Sequence, residues 1–254
     1  MKKIQILLLL LLFSTCAYPQ FSGLKKGLKG IAKKVLTTEQ TSTDETTSEA
    51  PAEERATPFI PNKDLTFTPA EAIDLGLPSG TKWASYNIGA SKPEEFGGYY
   101  AWGETEVKEV YNEETYGFKT EKTTLEPKDD VASIKWGAGW YIPTNKEFEE
   151  LIDNCTWTRV VINNVDCCQA TGPNGNSIIL PAAGQYFDSK VVSHNSNGET
   201  NKGYYWTNER YRYNDKDAAP VSFNADRDHK HNPTPGIGSY IKRYIGCTIR
   251  PVTK

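Results

Sequence analysis

The chain has 254 residues, of which 37% are hydrophobic and 24% are charged, and its formal net charge is −3. Roughly 190 residues follow position 63, which is enough for one domain with a sizeable core. The slightly acidic balance, without a concentrated basic face, argues against nucleic acid as a partner.

The N-terminus has the pattern of an export signal. Lys2 and Lys3 are followed by an apolar run over residues 4–13, which is too short to cross a hydrocarbon layer of roughly 30 Å. We therefore predict a signal peptide over residues 1–20 and an exported protein.

Two fates are open for Cys16. Cleavage near Ala17 would discard it with the signal peptide, whereas cleavage before Cys16 would leave a thiol that carries lipid. Residues 13–16 resemble a bacterial lipobox, although Thr15 stands where a smaller residue is usual. Cys16 is therefore a lipidation candidate.

A basic amphipathic segment is predicted over residues 21–36. Leu24, Leu28, Ile31 and Val35 recur at helical spacing, and lysines fill the positions between them. Such a helix over residues 24–35 can rest on anionic lipid. Alternatively it is only a marginal tether, because each of its interior glycines weakens a helix by about 1 kcal/mol.

Residues 37–63 predict a disordered acidic linker. Threonine, serine, glutamate and proline dominate it, and residues 37–58 contain no large apolar side chain. Such a segment buries too little surface to offset the entropy of ordering. The linker leads to a folded domain over residues 64–254.

Two helices are predicted in this domain. Thr144 and Glu147 form a capping box, flanked by Pro143 and Phe148 at staple positions. This helix is expected to run to about residue 154 and to bury the stripe Phe148, Leu151, Ile152 and Cys155. A second, shorter helix is predicted over residues 68–73, where a threonine is followed by a proline.

The other segments predict short strands and long loops. Residues 172–176 have the composition of a hairpin turn. The result is an α+β domain of short antiparallel sheets with one or two helices. The predicted strands are residues 81–88, 158–165, 177–181, 203–207, 219–223 and 245–250.

Four cysteines follow the signal peptide: Cys155, Cys167, Cys168 and Cys247. In an oxidising compartment an even number indicates disulfides. We predict that Cys155, at the end of the capped helix, pairs with Cys247 in the last predicted strand.

A succession of tryptophan- and glycine-rich motifs covers most of residues 72–252. This succession resembles exported Bacteroidetes proteins with a Fibrobacter succinogenes major paralogous domain, which are similar to the C-type-lectin-like and formylglycine-generating-enzyme-like superfamily. The resemblance implies a C-type-lectin-like fold, with the domain termini in one sheet and a binding face of long loops before the last strand. The motifs are residues 74–84, 96–105, 136–151, 154–157, 172–184, 203–206 and 250–252.

Metal-ligating side chains give three candidate sites. Asp226, Asp228, His229 and His231 combine imidazole and carboxylate ligands. Residues 206–209, with Asn208 and Glu209, superficially resemble the ligand strand of calcium-dependent lectins. The acidic run from Glu126 to Asp130 is a further calcium candidate. No catalytic triad can be placed from the sequence.

Aromatic and arginine side chains before the final predicted strand give the strongest binding signal. These residue types dominate binding hot spots, and tyrosine rings stack on sugars or fill protein pockets. The candidate ligand-binding residues are Tyr211, Arg212, Tyr213, Tyr240, Arg243 and Tyr244.

Together these features predict a non-enzymatic recognition domain that binds a glycan or protein ligand outside the cell. The protein is expected at the surface of a Gram-negative bacterium, in its outer membrane or secreted, with no cofactor except possible Ca²⁺. Two alternatives stay open: a metal-dependent enzyme related to formylglycine-generating enzyme, and a structural protein of a surface assembly.

Overall fold

The computed structural model describes residues 61–137, 139–192, 201–225, 232–237 and 240–254. All of them belong to one unit of the chain, Ala56–Lys254. Its helices are α1 (Val131–Trp136), α2 (Asn145–Asn154) and a 3-10 helix at Pro127–Asp129. The strands are β1 (Ala72–Asp74), β2 (Lys82–Ala84), β3 (Thr156–Ile162), β4 (Val165–Thr171), β5 (Ser177–Pro181), β6 (Gln185–Phe187), β7 (Lys190–Val192), β8 (Lys202–Arg210), β9 (Asp217–Asn224), β10 (Gly236–Ile237), β11 (Ile241–Lys242) and β12 (Val252–Thr253).

The strands form small antiparallel sheets. β2 lies between β1 and β12, and β4 lies between β3 and β5. β9 pairs with β8, β10 and β11, while β6 and β7 form a separate hairpin. This sheet-rich arrangement with few helices confirms the predicted α+β class.

The first and last strands of the domain lie in one sheet. Trp83 of β2 is the direct partner of Ile73 in β1 and of Val252 in β12. Tyr141, just before α2, exchanges two backbone hydrogen bonds with Val252 at 3.0 Å. The sheet therefore connects the two ends of the domain and the start of α2.

Two aromatic clusters form most of the core. In the first, the buried rings of Trp83 and Phe148 meet edge to face, 4.8 Å apart. In the second, the indole N–H of Trp206 donates to the Tyr100 carbonyl at 2.7 Å, and that of Trp102 donates to the Thr207 carbonyl at 3.0 Å. Buried tryptophans with bonded N–H groups fix how the loops cross the core.

The tryptophan–glycine segment before α2 is a packed corner. The rings of Trp136 and Trp140 meet edge to face at 5.2 Å. Gly137 ends α1 with φ of 89°, and Gly139 has φ of 108°. Residues with a side chain rarely adopt such positive φ angles, so glycine allows the chain to turn between the two rings.

Helix α2 confirms the predicted capping box. The Glu147 N–H donates to the Thr144 hydroxyl at 3.1 Å, and the Thr144 N–H donates to the Glu147 carboxylate at 3.0 Å. Phe148 and Leu151 are fully buried, and Ile152 and Cys155 pack against the same cluster. The predicted stripe is therefore the face that anchors α2.

We expect Thr144→Ala to lower the unfolding free energy by about 1 kcal/mol, because it removes an N-cap acceptor. Chemical denaturation of Thr144→Ser, which keeps the hydroxyl, is the matched control and should give nearly the parent value. An alanine variant as stable as the parent would show that the cap contributes nothing.

One predicted helix, one predicted strand and one predicted segment boundary were wrong. Residues 68–73 form no helix, because residues 72–74 pair with β2 as strand β1. Residues 245–250 make isolated bridges, such as Tyr100 with Cys247, instead of a strand. The predicted linker ends too late, since Asn62 accepts from the Tyr99 N–H at 2.9 Å and donates to the Lys108 carbonyl at 2.9 Å.

The predicted disulfide between Cys155 and Cys247 is absent, and all four cysteines of the described region are free. Cys155 packs against the cluster that contains Phe148, whereas Cys247 lies fully buried in the cluster that contains Trp206. Burial raises the pKa of Cys155 to about 11 and that of Cys167 to about 12. Such thiols are poor nucleophiles.

Candidate functional site

Four of the six predicted binding residues form an exposed aromatic cluster. The rings of Tyr211 and Tyr240 stack with centroids 3.7 Å apart, and Tyr213 meets Tyr211 edge to face at 5.4 Å. The Arg212 guanidinium lies 4.8 Å from the centre of the Tyr213 ring. We call Tyr211, Arg212, Tyr213 and Tyr240 the tyrosine cluster.

The turn between β8 and β9 holds this cluster. The Tyr211 N–H donates to the Asp217 carbonyl at 2.9 Å, which closes the turn. Asn214 sits within it, and its side chain donates to the Asp217 carboxylate at 2.7 Å and accepts from the Lys216 N–H at 2.7 Å. Tyr240 arrives from elsewhere in the chain, because β11 begins at the next residue and pairs with β9.

The tyrosine cluster is open to solvent. Tyr213 is 71% exposed and Tyr240 is 46% exposed, although neither ring carries a charge. Tyrosine combines an apolar ring with a hydroxyl and loses little rotamer entropy on binding. A cluster of such rings can stack on a flat apolar surface and hydrogen-bond at its edges.

Arg243 and Tyr244 do not join the cluster. Arg243 lies in a turn and is only 6% exposed. Its guanidinium lies over Trp102, Tyr116 and Phe118, with ring centres at 5.2, 5.3 and 6.0 Å. These aromatic faces attract the cation, which explains its burial. Tyr244 is half-buried and packs at 6.4 Å from Phe187.

Arg243 and Tyr244 line a groove of about 640 Å³. Lys216 and Lys242, which flank the tyrosine cluster in sequence, also line it. We call it the Arg243 groove. Its lining residues are Glu113, Glu114, Tyr116, Phe118, Lys119, Asp215, Lys216, Lys242, Arg243 and Tyr244.

The contribution of residues 113–119 to the lining of this groove was not predicted from the sequence. Tyr116 and Phe118 flank Gly117, and the Gly117 N–H donates to Glu104 at 2.9 Å. An aromatic–glycine–aromatic triplet was the available signal. The acidic residues around it instead indicate a solvated loop.

The calcium candidates at Asn208 and Glu209 serve the fold. Glu209 accepts from the Asn145 N–H at 3.0 Å and from the Asn145 side chain at 3.2 Å, at the first residue of α2. A carboxylate is stabilised at this end of a helix. Backbone hydrogen bonds join Asn208 to Pro143 and to Leu125, both at 2.9 Å. In this structure the Glu209 carboxylate therefore holds the first residue of α2.

The acidic run of residues 126–130 is likewise occupied by other contacts. Asp130 is buried and accepts three backbone N–H groups around α1. Glu126 pairs with Lys122, and Asp129 lies 3.6 Å from the Lys128 ammonium. Three carboxylates of this run therefore serve contacts within the fold, and the calcium site predicted here stays a prediction.

The remaining candidates lie outside the described residues. They are Cys16, the segment 24–35, and the set Asp226, Asp228, His229 and His231. Within the described ranges, no three His, Cys, Asp or Glu side chains gather as a metal site would need. Nor does any helix in those ranges have the length and apolar character to cross a membrane.

Comparison of the chain with protein-family models, with curated proteins and with solved structures gives no match.

Proposed function

We propose that this protein is an exported, non-enzymatic recognition domain of C-type-lectin-like architecture, which binds a glycan through the tyrosine cluster. A protein ligand is the competing possibility. The single observation that carries the proposal is the set of packed rings at Tyr211, Tyr213 and Tyr240, in which Tyr213 and Tyr240 are exposed and Tyr211 is half-buried.

The architecture is supported by the arrangement of the sheets. The pairing of β12 with β2, beside β1, agrees with the shared terminal sheet that the resemblance implies. The tyrosine cluster lies in turns that precede the last strand, where the resemblance expects a binding face. Export is supported by the pattern of residues 1–20.

Glycan binding is supported by the chemistry of the cluster. Flat aromatic rings stack on the apolar faces of sugars, and Arg212 supplies donors for ring oxygens and hydroxyls. Exposed apolar rings of this kind mark interaction sites more often than isolated apolar residues do. Binding of this type needs no nucleophile and no proton transfer.

The test is a glycan and protein array probed with the purified full-length protein and with the variant Tyr211→Ala/Tyr213→Ala/Tyr240→Ala. We expect the parent protein to bind a glycan and the triple variant to lose roughly tenfold or more in affinity. The melting temperature should change by only about 2 °C, because the lost rings are largely exposed.

Phe67→Ala is the matched control. Phe67 is also an exposed aromatic ring, but it contacts Lys135 at 5.0 Å instead of the tyrosine cluster. This control should bind like the parent. Array binding that survives the triple variant would remove the tyrosine cluster from the proposal, and binding to proteins alone would replace the glycan by a protein ligand.

A further inference from the structure

Two buried arginines in this domain differ in how their donors are used. Arg250 makes four hydrogen bonds, to Asn87, Ala84, Ser85 and Ile179, at 2.7 to 3.2 Å. Arg243 makes one, from Nη2 to the Phe118 carbonyl at 3.0 Å. Its Nε and Nη1 atoms are closed to bulk water and, among the described residues, have no acceptor at hydrogen-bonding geometry, although the Tyr116 hydroxyl interacts with the guanidinium.

No carboxylate of the described residues pairs with Arg243. Asp217, close by in β9, holds the Lys242 ammonium at 2.8 Å. Glu104, near Tyr116, holds the Lys108 ammonium at 2.6 Å. Tyr116 lies beside the guanidinium, but its hydroxyl donates to the Trp102 carbonyl at 2.8 Å, and a neutral phenol cannot offset a charge.

The three rings around Arg243 offset only part of the cost of burying its guanidinium without a counter-ion. Cation–π contacts stabilise a buried guanidinium, but they leave its N–H groups without oxygen acceptors. A buried charge without a counter-ion is unfavourable, and a carboxylate is the group that matches the planar guanidinium edge. Because Arg243 lines the groove, a ligand can supply that group from outside the fold.

We infer that the Arg243 groove binds a carboxylate of the ligand, so that the glycan recognised by the tyrosine cluster contains a uronic acid. This inference rests on the proposed function for the choice of a glycan. The lining of the groove carries both signs of charge, with Arg243 and three lysines against three acids, which leaves one positive charge in excess. The lysines are Lys119, Lys216 and Lys242, and the acids are Glu113, Glu114 and Asp215. Direct contact with Nε or Nη1 requires a small shift of the surrounding rings.

The test uses tetrasaccharides of galacturonate, glucuronate, mannuronate and guluronate, each with its methyl ester as a neutral control of the same backbone. Isothermal titration of the full-length protein should show at least one acid form binding roughly tenfold or more tighter than its ester. The preference should weaken as salt is raised, because it depends on charge.

Arg243→Gln removes the charge and should abolish the preference for the acid form over the ester. Lys216→Gln, on the exposed rim, is a second variant that does not disturb the core and should reduce the preference. Lys135→Gln, whose ammonium contacts Glu106 at 2.6 Å, is the matched control and should keep it.

The two proposals fail in different ways. Equal binding of acid and ester forms overturns the carboxylate inference. Binding of an acidic peptide instead of every uronate overturns the assignment of that carboxylate to a uronic acid. Neutral glycan binding that depends on Tyr211, Tyr213 and Tyr240 would still uphold the proposed function. Uronate binding that depends on Arg243 but survives loss of those rings would instead place recognition in the groove alone.

Discussion

Arg250→Met is expected to lower the unfolding free energy by about 3 to 5 kcal/mol, because it leaves four acceptors without a donor and each buried unsatisfied group costs about 1 to 3 kcal/mol. Arg250 is fully buried and donates to the carbonyls of Ala84, the last residue of β2, of Ser85, and of Ile179 in β5. It therefore joins two sheets. Methionine fills similar space but leaves these acceptors and Asn87 Oδ1 unpaired.

The charge on Arg250 is kept at neutral pH. Burial lowers the pKa of Arg250 to about 10, and the neighbouring Tyr205 and Cys167 oppose the shift. Arg250→Lys should recover only part of the loss, since an ammonium lacks the fixed fork that reaches all four acceptors. Equilibrium denaturation with urea measures each variant.

Arg210→Met is the matched control for this prediction. Arg210 also donates to backbone carbonyls, those of Glu121, Lys122 and Tyr211 at 2.8 to 3.2 Å, but it is only half-buried. We expect a change of less than about 1 kcal/mol, because water can take over these acceptors. Similar losses in both variants would show that burial is not what makes Arg250 important.

Asp130→Ala is the second large effect, at about 2 to 3 kcal/mol. The Asp130 carboxylate accepts from the N–H groups of Ala132 at 2.8 Å, Ser133 at 3.1 Å and Ile142 at 2.7 Å. It caps α1 and ties the helix to the segment before α2. Alanine leaves these donors without an acceptor, and two of them are buried.

A pH dependence separates the charge of Asp130 from its hydrogen bonds. Burial raises the pKa of Asp130 from 3.8 to about 6, although the three N–H donors oppose this. Between about pH 4 and pH 6 the Asp130 carboxyl keeps a proton in the folded protein that it releases in the unfolded chain. The contribution of Asp130 to the unfolding free energy therefore falls as pH rises, by at most about 3 kcal/mol.

Asp130→Asn does not titrate and should lack this contribution. We expect the parent protein to gain stability relative to Asp130→Asn as pH is lowered from 7 to 4.5, measured by denaturation at each pH. Asp129 is a neighbouring carboxylate beside Lys128, and the variant Asp129→Asn should show the same pH dependence of stability as the parent. A parent advantage that shrinks on acidification would mean that the N–H donors outweigh burial.

The helices show what local sequence predicts. α2 was predicted because Thr144 and Glu147 satisfy each other within one turn. α1 was missed, although Asp130 caps it, because its six residues give too little periodicity and the acidic run that contains Asp130 was interpreted as a calcium candidate. Residues 72–74 became a strand because β2 pairs with them, which a local pattern does not reveal.

The candidate site shows the same limit. Tyr211, Arg212 and Tyr213 follow one another in a turn, so their grouping was visible in the sequence. The exposed position of Tyr240 beside them depends on the pairing of β11 with β9. The burial of Arg243 depends on Trp102 and Phe118, which precede it by more than 120 residues, roughly half the chain. A local sequence pattern cannot predict contacts over such a separation.

The shared sheet of β1, β2 and β12 also has a mechanical consequence. Neighbouring strands lie about 5 Å apart, so Ile73 and Val252, on either side of Trp83, are separated by roughly 10 Å. A domain whose entry and exit points are this close can be inserted into a loop of a host protein with little distortion. The same closeness means that tension between its ends is borne first by a few short strand pairings.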